Sequence, residues 1–270
     1  MPELPEVETT LRGVSPHVLG RRVQEVIVRD KRLRWPVPDT MDEMVGCRIE
    51  TGTRRAKYLL FGTAKGTLML HLGMSGSLHV LPAEVPWRKH DHVVLVFDSG
   101  QQLRLHDPRR FGAALWIQGD PLQHALLKDL GPEPLGDDFT TAHLREFCKN
   151  RNTAIKQVIM DAQVVVGVGN IYASEALFMS GIDPCRPAGK ITRPRLEKLV
   201  AAIRKVLAAS IEAGGTTLRD FVNEKGEPGY FAQTLRVYGR EGEPCRTCKA
   251  PVRRIVQAAR STFFCPRCQH

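Results

Sequence analysis

The chain has 270 residues, which is long enough for two modest domains with a core each. Lysine and arginine outnumber aspartate and glutamate by 39 to 29, and the formal charge of +10 favours a polyanionic partner such as nucleic acid. A membrane surface would attract the same charge, but no apolar run approaches the roughly 18 residues of a spanning helix, and the acidic start does not resemble a secretory signal. We therefore expect a cytoplasmic protein without a membrane partner.

The first residues, MPELPEVETT, predict the start of a helix. Pro5 suits a first helical position because its missing N–H is not needed there, and glutamates in the first turn offset the positive end of the helix dipole. Apolar residues follow at the spacing of one helical face, and Pro16 and Gly20 predict the end of the helix. Pro2 and Glu3 have no part in this explanation.

Residues 22–118 have the pattern of β-strands. In HDHVVLVFDSGQQLRLHD, Val93, Leu95 and Phe97 alternate with their neighbours, and a Ser-Gly turn leads into a second alternating run. Shorter runs of the same kind are RVQEVIV, KYLLF and TLMLHL. The pattern predicts an antiparallel β-sandwich that is preceded by one helix.

The pattern changes after GPEPLGDD, residues 131–138, which we interpret as a linker or long turn. Helices are predicted around residues 140–148, 153–163 and 170–180. The longest helix lies in TRPRLEKLVAAIRKVLAASIEAGG, with Thr192 as its cap and Gly214 and Gly215 as its stop. Its apolar stripe consists of Leu196, Leu199, Val200, Ile203, Leu207 and Ile211.

The C-terminus carries the most specific local pattern. Cys245 and Cys248 are followed after sixteen residues by Cys265 and Cys268, and this spacing predicts one tetrahedral zinc ion. Four protein ligands leave no position for an activated water, so we expect a structural Zn²⁺. Residues 236–270 contain eight arginine or lysine residues and two glutamates. This positive charge favours a zinc finger that binds nucleic acid over a zinc ribbon that binds protein.

The remaining three cysteines, Cys47, Cys148 and Cys185, are scattered, so a disulfide framework is not expected. We interpret them as small buried residues in a reducing compartment, and the sequence assigns them no role.

Two further motifs have alternative interpretations. VVVGVGNIYASE fails as a dinucleotide fingerprint because Tyr172 stands where a small residue is needed. Its glycine-lined turn and Asn170 are equally compatible with binding of one phosphate and with an ordinary turn that binds no ligand. DPRRFG places two arginines and an aromatic residue at a loop tip. Such a tip could insert into a DNA duplex, or it could simply be the solvated end of a hairpin.

Four histidines lie close to acids in the strand region: His71, His90, His92 and His106. A hydrolase metal cluster is one interpretation. On a strand, however, His90 and His92 share one face while Asp91 points to the other. We therefore expect solvated or hydrogen-bonded strand histidines.

These motifs occur together in one known family. PELPE, AKYLL, HLGMSGSL, KHDH, DPRRFG, GVGNIYASE, GGTT, GYFAQ, VYGR and the four-cysteine finger resemble bacterial formamidopyrimidine-DNA glycosylase, in order and from end to end. The resemblance implies a bifunctional enzyme that removes oxidised purines, such as 8-oxoguanine and formamidopyrimidines, from double-stranded DNA. It then cleaves the abasic strand by β,δ-elimination.

The resemblance also implies a two-domain α+β fold and a monomer. Its parts would be an N-terminal antiparallel β-sandwich catalytic domain with an N-terminal helix (1–130), a linker (131–138), a helix-two-turn-helix DNA-binding domain (139–235) and a zinc finger (236–270). Residues 216–230 would form a lid over the lesion.

Carried over residue by residue, the resemblance implies a role for each site residue. Pro2 would be the nucleophile after loss of Met1, and Glu3 the proton donor at the sugar. Lys57 would assist β-elimination, and Arg260 would serve δ-elimination and grip phosphate. The residues expected to hold the DNA are His90, Arg109, Arg151, Lys156 and Asn170. Those expected to fill the space left by the extruded base are Met74, Arg109 and Phe111, with Arg109 facing the opposite cytosine.

Two alternatives stay open at this point. A zinc-ribbon nucleic-acid-binding module without chemistry would not need a free Pro2. A relative of the endonuclease VIII type would prefer oxidised pyrimidines, whereas PELPE and DPRRF resemble the purine enzyme.

Overall fold

The structure is a computed structural model that describes residues 2–215 and 234–270. The described residues form two compact units, one of residues 2–128 and 213–215 and the other of residues 129–212 and 234–270. The lid expected at residues 216–230 lies outside the described residues.

The first unit is a helix followed by two antiparallel sheets. Its elements are α1 (Leu4–Val18), β1 (Val23–Val28), β2 (Thr51–Arg55), β3 (Tyr58–Gly62), β4 (Thr67–His71), β5 (Ser77–Pro82), β6 (Asp91–Phe97), β7 (Gln101–His106) and β8 (Ala113–Ile117). One sheet has the order β1-β6-β7-β5 and the other β2-β3-β4-β8, with antiparallel neighbours throughout. The predicted β-sandwich with its preceding helix is confirmed.

A single core joins α1 to both sheets. Val7 and Val14 of α1 pack in it together with Phe61 of one sheet and Leu95 of the other, and each is at most 2 % exposed. Such burial of apolar side chains is the main force that holds two sheets face to face. The opposite face of β6 is buried as well, since Asp91 is fully buried. In a simple sandwich the outer face of a strand would be exposed to solvent, whereas here the outer face of β6 carries a buried polar side chain.

Helix α1 differs at both ends from the sequence-based expectation. It begins at Leu4, so Pro5 is its second residue. Pro16 was expected to help end the helix, but the helix continues to Val18, because a proline this close to the last turn removes only one hydrogen bond. Gly20 follows with a φ of +76°, a conformation that glycine adopts without steric cost.

The second unit is helical and ends in a hairpin. Its elements are α2 (Thr141–Cys148), α3 (Ile155–Ile159), α4 (Asn170–Ser180), α5 (Arg193–Glu212), β9 (Arg253–Gln257) and β10 (Arg260–Phe264). The predicted apolar stripe of α5 is buried along its whole length. Helix α3 is shorter than the expected 153–163, because Asp161 Oδ1 accepts from the N–H of Gln163 at 3.0 Å and starts a turn.

The C-terminal finger has its own small core, formed by Phe178, Val237, Cys245, Val252 and Cys265. Its strands β9 and β10 are joined by a two-residue turn of Ala258 and Ala259, whose φ angles are +46° and +59°. Turns of this kind normally contain Asn-Gly, because other residues adopt positive φ at a cost.

Candidate functional site

The N-terminal residues are fixed at the start of α1. Glu3 precedes the helix, is 2 % exposed, and donates its backbone N–H to Oε2 of Glu6 at 2.8 Å. This reciprocal cap satisfies groups that a helix start otherwise leaves without partners. Pro2 is buried too. Its ring nitrogen therefore has a defined position one residue from the Glu3 carboxyl group.

Lys57 lies in the tight turn that joins β2 to β3. Ala56, directly before it, has a φ of +54°, and its carbonyl oxygen accepts from Nη1 of Arg54 at 2.9 Å. Lys57 itself is half-buried. A half-buried lysine packs its aliphatic stem on the protein and leaves its ammonium group toward solvent.

His71 lies close enough to Lys57 to feel its charge. Its ring is 4.8 Å from that of Tyr58, with which it pairs across β3 and β4. Burial, followed by the charges of Lys57 and Arg34, lowers the pKa of His71 to about 4, so the imidazole is neutral near pH 7. Nδ1 accepts from the N–H of Gly73 at 2.9 Å, which leaves the proton on Nε2. Reasoning from the sequence missed this pairing, although the KYLLF and TLMLHL runs contain it.

His92 and His106 are hydrogen-bonded, as the sequence predicted, and His90 contacts the rings of both. The ring of His90 lies 6.0 Å from that of His92 and 5.9 Å from that of His106. His92 Nε2 donates to the carbonyl oxygen of Asp107 at 2.9 Å, and His106 Nδ1 donates to Asp91 at 2.8 Å. Within residues 2–215 and 234–270, histidines and carboxylates form no group with metal-binding geometry.

The DPRRFG loop is held from inside by the carboxylate of Asp107. This side chain is fully buried and accepts from the N–H of Gly112 at 2.7 Å and from that of Arg109 at 3.3 Å. The guanidinium of Arg109 lies 5.1 Å from the ring centre of Phe111, which is 43 % exposed. The loop therefore presents an exposed cation and an exposed aromatic ring on a fixed backbone.

Met74 lies at the same edge of the first unit as Phe111. Gly73 packs so closely on this loop that an added Cβ would lie 2.3 Å from the carbonyl carbon of Phe111. Met74, the next residue, is 37 % exposed. The structure thus brings Met74, Arg109 and Phe111 together as three exposed side chains at one edge of the first unit.

In the second unit, Lys156 joins the start of α4 to the finger hairpin. Lys156 is 2 % exposed, and its Nζ donates to Oδ1 of Asn170 and to Oγ1 of Thr262, both at 2.6 Å. Asn170 is the first residue of α4 and donates from Nδ2 to the carbonyl oxygen of Ser261 at 2.9 Å. A buried ammonium with short hydrogen bonds fixes the relative position of the elements that it joins.

The two remaining arginines of the expected site are exposed. Arg151 follows α2 and has its guanidinium 5.7 Å from the ring of Phe147. Arg260 is the first residue of β10, directly after the Ala258-Ala259 turn. It borders a cavity of about 170 Å³ that Lys156 and Gln257 also line.

The four cysteines of the finger form a metal site. Their sulfur atoms lie within 4.8 Å of one another, including 3.9 Å between Cys245 and Cys268 and 3.4 Å between Cys248 and Cys265. Zinc–sulfur bonds of about 2.3 Å in a tetrahedron place sulfur atoms about 3.8 Å apart, so the group fits one Zn²⁺. Burial raises the pKa of the Cys245 thiol, but N–H groups of Cys248 and Thr247 outweigh it and lower the pKa to about 7.

Glu175 is a second important residue that the sequence did not single out. It lies on α4, is 2 % exposed, and accepts three backbone N–H groups at 2.9 Å each, from Arg236, Val237 and Tyr238. One carboxylate thus holds the chain where it enters the finger. Glu175 is the last residue of the GVGNIYASE motif, but nothing in the motif indicates the backbone segment that it binds, 61 residues away.

Comparison with protein families covers nearly the whole chain. The N-terminal domain of formamidopyrimidine-DNA glycosylase matches residues 1–114, its H2TH domain matches residues 130–222, and the zinc finger found in FPG and IleRS matches residues 242–270. Within the described part of the chain, none of the helices has the length and apolar character needed to cross a bilayer.

Individual relatives agree with the family models. The formamidopyrimidine-DNA glycosylase of Thioalkalivibrio sulfidiphilus is 60 % identical over all 270 residues of both chains. The MutM (Fpg) protein of Thermus thermophilus superimposes with a TM-score of 0.90 at 41 % identity, over 99 % of this chain and 98 % of the other. Lactococcus lactis Fpg in complex with abasic-site DNA gives a TM-score of 0.92 at 31 % identity, over 99 % of each chain. From the N-terminal proline to the cysteine finger, the chain belongs to the formamidopyrimidine-DNA glycosylase family.

Proposed function

We propose that this chain excises oxidised purines, 8-oxoguanine and formamidopyrimidines, from duplex DNA and then cleaves the abasic strand by β,δ-elimination. The observation that carries the proposal is the Pro2-Glu3 terminus, in which Glu3 caps α1 and both residues are buried. Helix formation alone gives no reason for a proline at that position. Its nitrogen becomes an amine when Met1 is removed.

An N-terminal amine is a better nucleophile near pH 7 than a lysine. With reference pKa values near 8 and 10.4, roughly a tenth of the terminal amine is unprotonated, against about a two-thousandth of a lysine. In the proposed reaction the Pro2 nitrogen bonds to the sugar C1′ as the bond from C1′ to the base breaks. The Glu3 carboxyl group protonates the ring oxygen as the sugar opens.

The product of that step is an iminium ion. Because proline is a secondary amine, this ion carries its positive charge without an added proton and accepts electrons during elimination. Loss of a proton from C2′ then expels the 3′ phosphate, and a second elimination expels the 5′ phosphate. We propose that Lys57, next to the neutral His71, assists the first elimination and that Arg260 assists the second.

Base excision from a duplex requires that the nucleotide leaves the stack, which costs a few kcal/mol. The exposed group of Met74, Arg109 and Phe111 is suited to fill the gap, with Arg109 facing the opposite cytosine. His90, Arg151 and Asn170 would hold the backbone. Lys156 would support Asn170, since its own Nζ is hydrogen-bonded within the protein.

We further propose the domain division 1–130, 131–138, 139–235 and 236–270, a monomer, and a cytoplasmic location at the DNA. Affinity for DNA should fall steeply with salt, because several phosphates are neutralised together. Binding that does not change with salt would contradict this part of the proposal.

Borohydride trapping tests the function directly. On a duplex with one 8-oxoguanine, the protein should yield a covalent adduct with DNA, located at Pro2 by mass analysis of the N-terminal peptide. An insertion of phenylalanine between Met1 and Pro2 displaces the amine and should abolish the adduct. Pro16→Ala, a proline change on the same helix, is the matched control and should trap as the unmodified protein does.

Two outcomes would overturn the proposal. An adduct of equal yield after the insertion would exclude Pro2 as the nucleophile. Faster cleavage of a thymine glycol duplex than of the 8-oxoguanine duplex would contradict the assignment of oxidised purines as the substrate.

A further inference from the structure

The segment between β5 and β6, residues 83–90, folds over the outer face of its sheet and is held there by β7. Gln102 Nε2 donates to the carbonyl oxygen of Pro82 at 2.8 Å and to that of Ala83 at 3.2 Å. Arg104, two residues further along β7, donates to the carbonyl oxygens of Pro86, at 2.9 Å, and of Val85. Side chains of one strand thus hydrogen-bond the last carbonyl of β5 and three carbonyls of the segment, which we name the strap.

A buried ion pair lies at the centre of this arrangement. Arg104 Nη1 donates to Asp91 Oδ2 at 3.1 Å, and both side chains are fully buried. Asp91 also accepts from the N–H of Arg88 at 2.9 Å and from Nδ1 of His106 at 2.8 Å. Burial alone raises the pKa of Asp91, but these hydrogen bonds outweigh it and hold the pKa below its ordinary value.

The same network reaches the two loops that the proposed function uses. The strap ends at His90, whose ring lies 5.9 Å from that of His106. The carbonyl oxygen of His90 accepts from the N–H of Asp107 at 2.9 Å. Asp107 in turn holds the backbone of Arg109 and Gly112. Arg104 therefore binds Asp91, the residue next to His90 in the chain, and His90 is in turn hydrogen-bonded to Asp107 at the start of the DPRRFG loop.

We propose that Arg104 and Asp91 are positioning residues, which fix the strap and the DPRRFG loop so that His90 and Arg109 meet DNA in one preset geometry. This inference rests on the proposed DNA-binding roles of His90 and Arg109. Fold stability gives a weaker reason for the pair, since well-packed apolar residues in place of a buried ion pair are often at least as stabilising. An ion pair with directional hydrogen bonds instead selects one conformation of the strap.

Two variants disrupt the network, and a third provides the control. Arg104→Met removes the ion pair and two strap contacts. Gln102→Met is the milder change, because it removes the contacts to Pro82 and Ala83 without leaving a buried charge. Gln118→Met is the matched control: Gln118 is exposed directly after β8, and its amide donates to Glu43 instead of the strap.

The first measurement needs no DNA. Arg88 and Lys89 are exposed, and we expect trypsin to cleave after them faster when the backbone of the strap is released from its hydrogen bonds. Both network variants should therefore be cleaved there about tenfold faster than the unmodified protein. Gln118→Met should be cleaved at the unmodified rate.

The second measurement separates binding from chemistry. For the 8-oxoguanine duplex, KM should rise about tenfold in both network variants, because a charged contact to DNA is no longer prepositioned. The single-turnover rate at saturating enzyme should stay within about twofold, because Pro2 and Glu3 are unchanged. Discrimination between cytosine and adenine opposite the lesion should weaken.

The outcomes are decisive in either direction. If Arg104→Met does not fold, Gln102→Met decides alone. Trypsin cleavage and KM equal to those of Gln118→Met would overturn the inference, as would a lost single-turnover rate with unchanged KM. Failure of the unmodified protein to form the borohydride adduct would instead overturn the proposed function, while the trypsin measurement would still test the strap.

Discussion

Replacement of Glu175 by glutamine should loosen the finger while leaving the shape of the side chain almost unchanged. In the structure, Oε1 accepts from the N–H groups of Val237 and Tyr238 and Oε2 accepts from that of Arg236, all at 2.9 Å. The amide of Glu175→Gln keeps one acceptor oxygen and turns its NH₂ group toward a backbone donor.

The expected size follows from these three bonds. Two of them lose the extra strength of a charged acceptor, about 1 kcal/mol each, and the third leaves a buried N–H without a partner, at about 1–3 kcal/mol. The total loss of unfolding free energy is about 3–5 kcal/mol. Because Val237 packs against Cys245 and Cys265, zinc release to a chelator should accelerate at least tenfold, which is the change that about 1.4 kcal/mol produces.

Zinc release is followed with a coloured chelator, and urea unfolding is followed by circular dichroism. Glu197→Gln is the matched control: Glu197 pairs with Arg193 at 3.1 Å on the exposed face of α5, where such pairs contribute about 0–1 kcal/mol. Equal zinc release from Glu175→Gln and Glu197→Gln would refute the reasoning, because the three bonds to Glu175 would then have no influence on the finger.

Three further changes have defined outcomes. Burial is the main cause that lowers the pKa of His79 to about 4, so the unfolded chain binds more protons below pH 6.5. The melting temperature should therefore fall as the pH drops from about 6.5 to 4. In His79→Gln the melting temperature should depend less on pH over this range. Gly73→Ala should destabilise the protein and weaken discrimination of the base opposite the lesion. Gly100→Ala is the control, because Gly100 has a similar positive φ but no atom within 4 Å of an added Cβ. It should cost only the strain of alanine at a positive φ. Cys265→Ser should abolish zinc binding and weaken DNA binding in anisotropy titrations, while urea unfolding of the sandwich stays unchanged.

The elements with a strong local period were predictable from the sequence. The apolar stripe of α5 has a helical spacing that tertiary contacts reinforce, and the alternation in β6 and β7 has the strand spacing. The zinc finger was equally predictable, because four cysteines at that spacing rarely serve another purpose. The bounds of shorter elements such as α3 were less predictable, because one side-chain hydrogen bond at Asp161 decides where the helix ends.

The contacts that connect distant segments were not predictable. Asp91 and Arg104 are 13 residues apart in the sequence, and nothing in HDHVVLVF indicates that this aspartate is fully buried. The same applies to Glu175 and to Lys156, which bind segments 61 and 106 residues away. Family resemblance supplied the proposed roles of Pro2, Lys57 and Arg260, whereas the structure supplied the neighbours of Glu3 and Lys57.

The alanine pair at the tip of the finger has a practical consequence for protein engineering. Ala258 and Ala259 both occupy the left-handed region, which costs an L-residue about 1–2 kcal/mol at each position. Asn-Gly at these two exposed positions would recover part of that energy. The tip is therefore an accessible place to make this enzyme more heat-resistant. Because Arg260 follows directly, any change in strand cleavage would report how strongly catalysis depends on the shape of a two-residue turn.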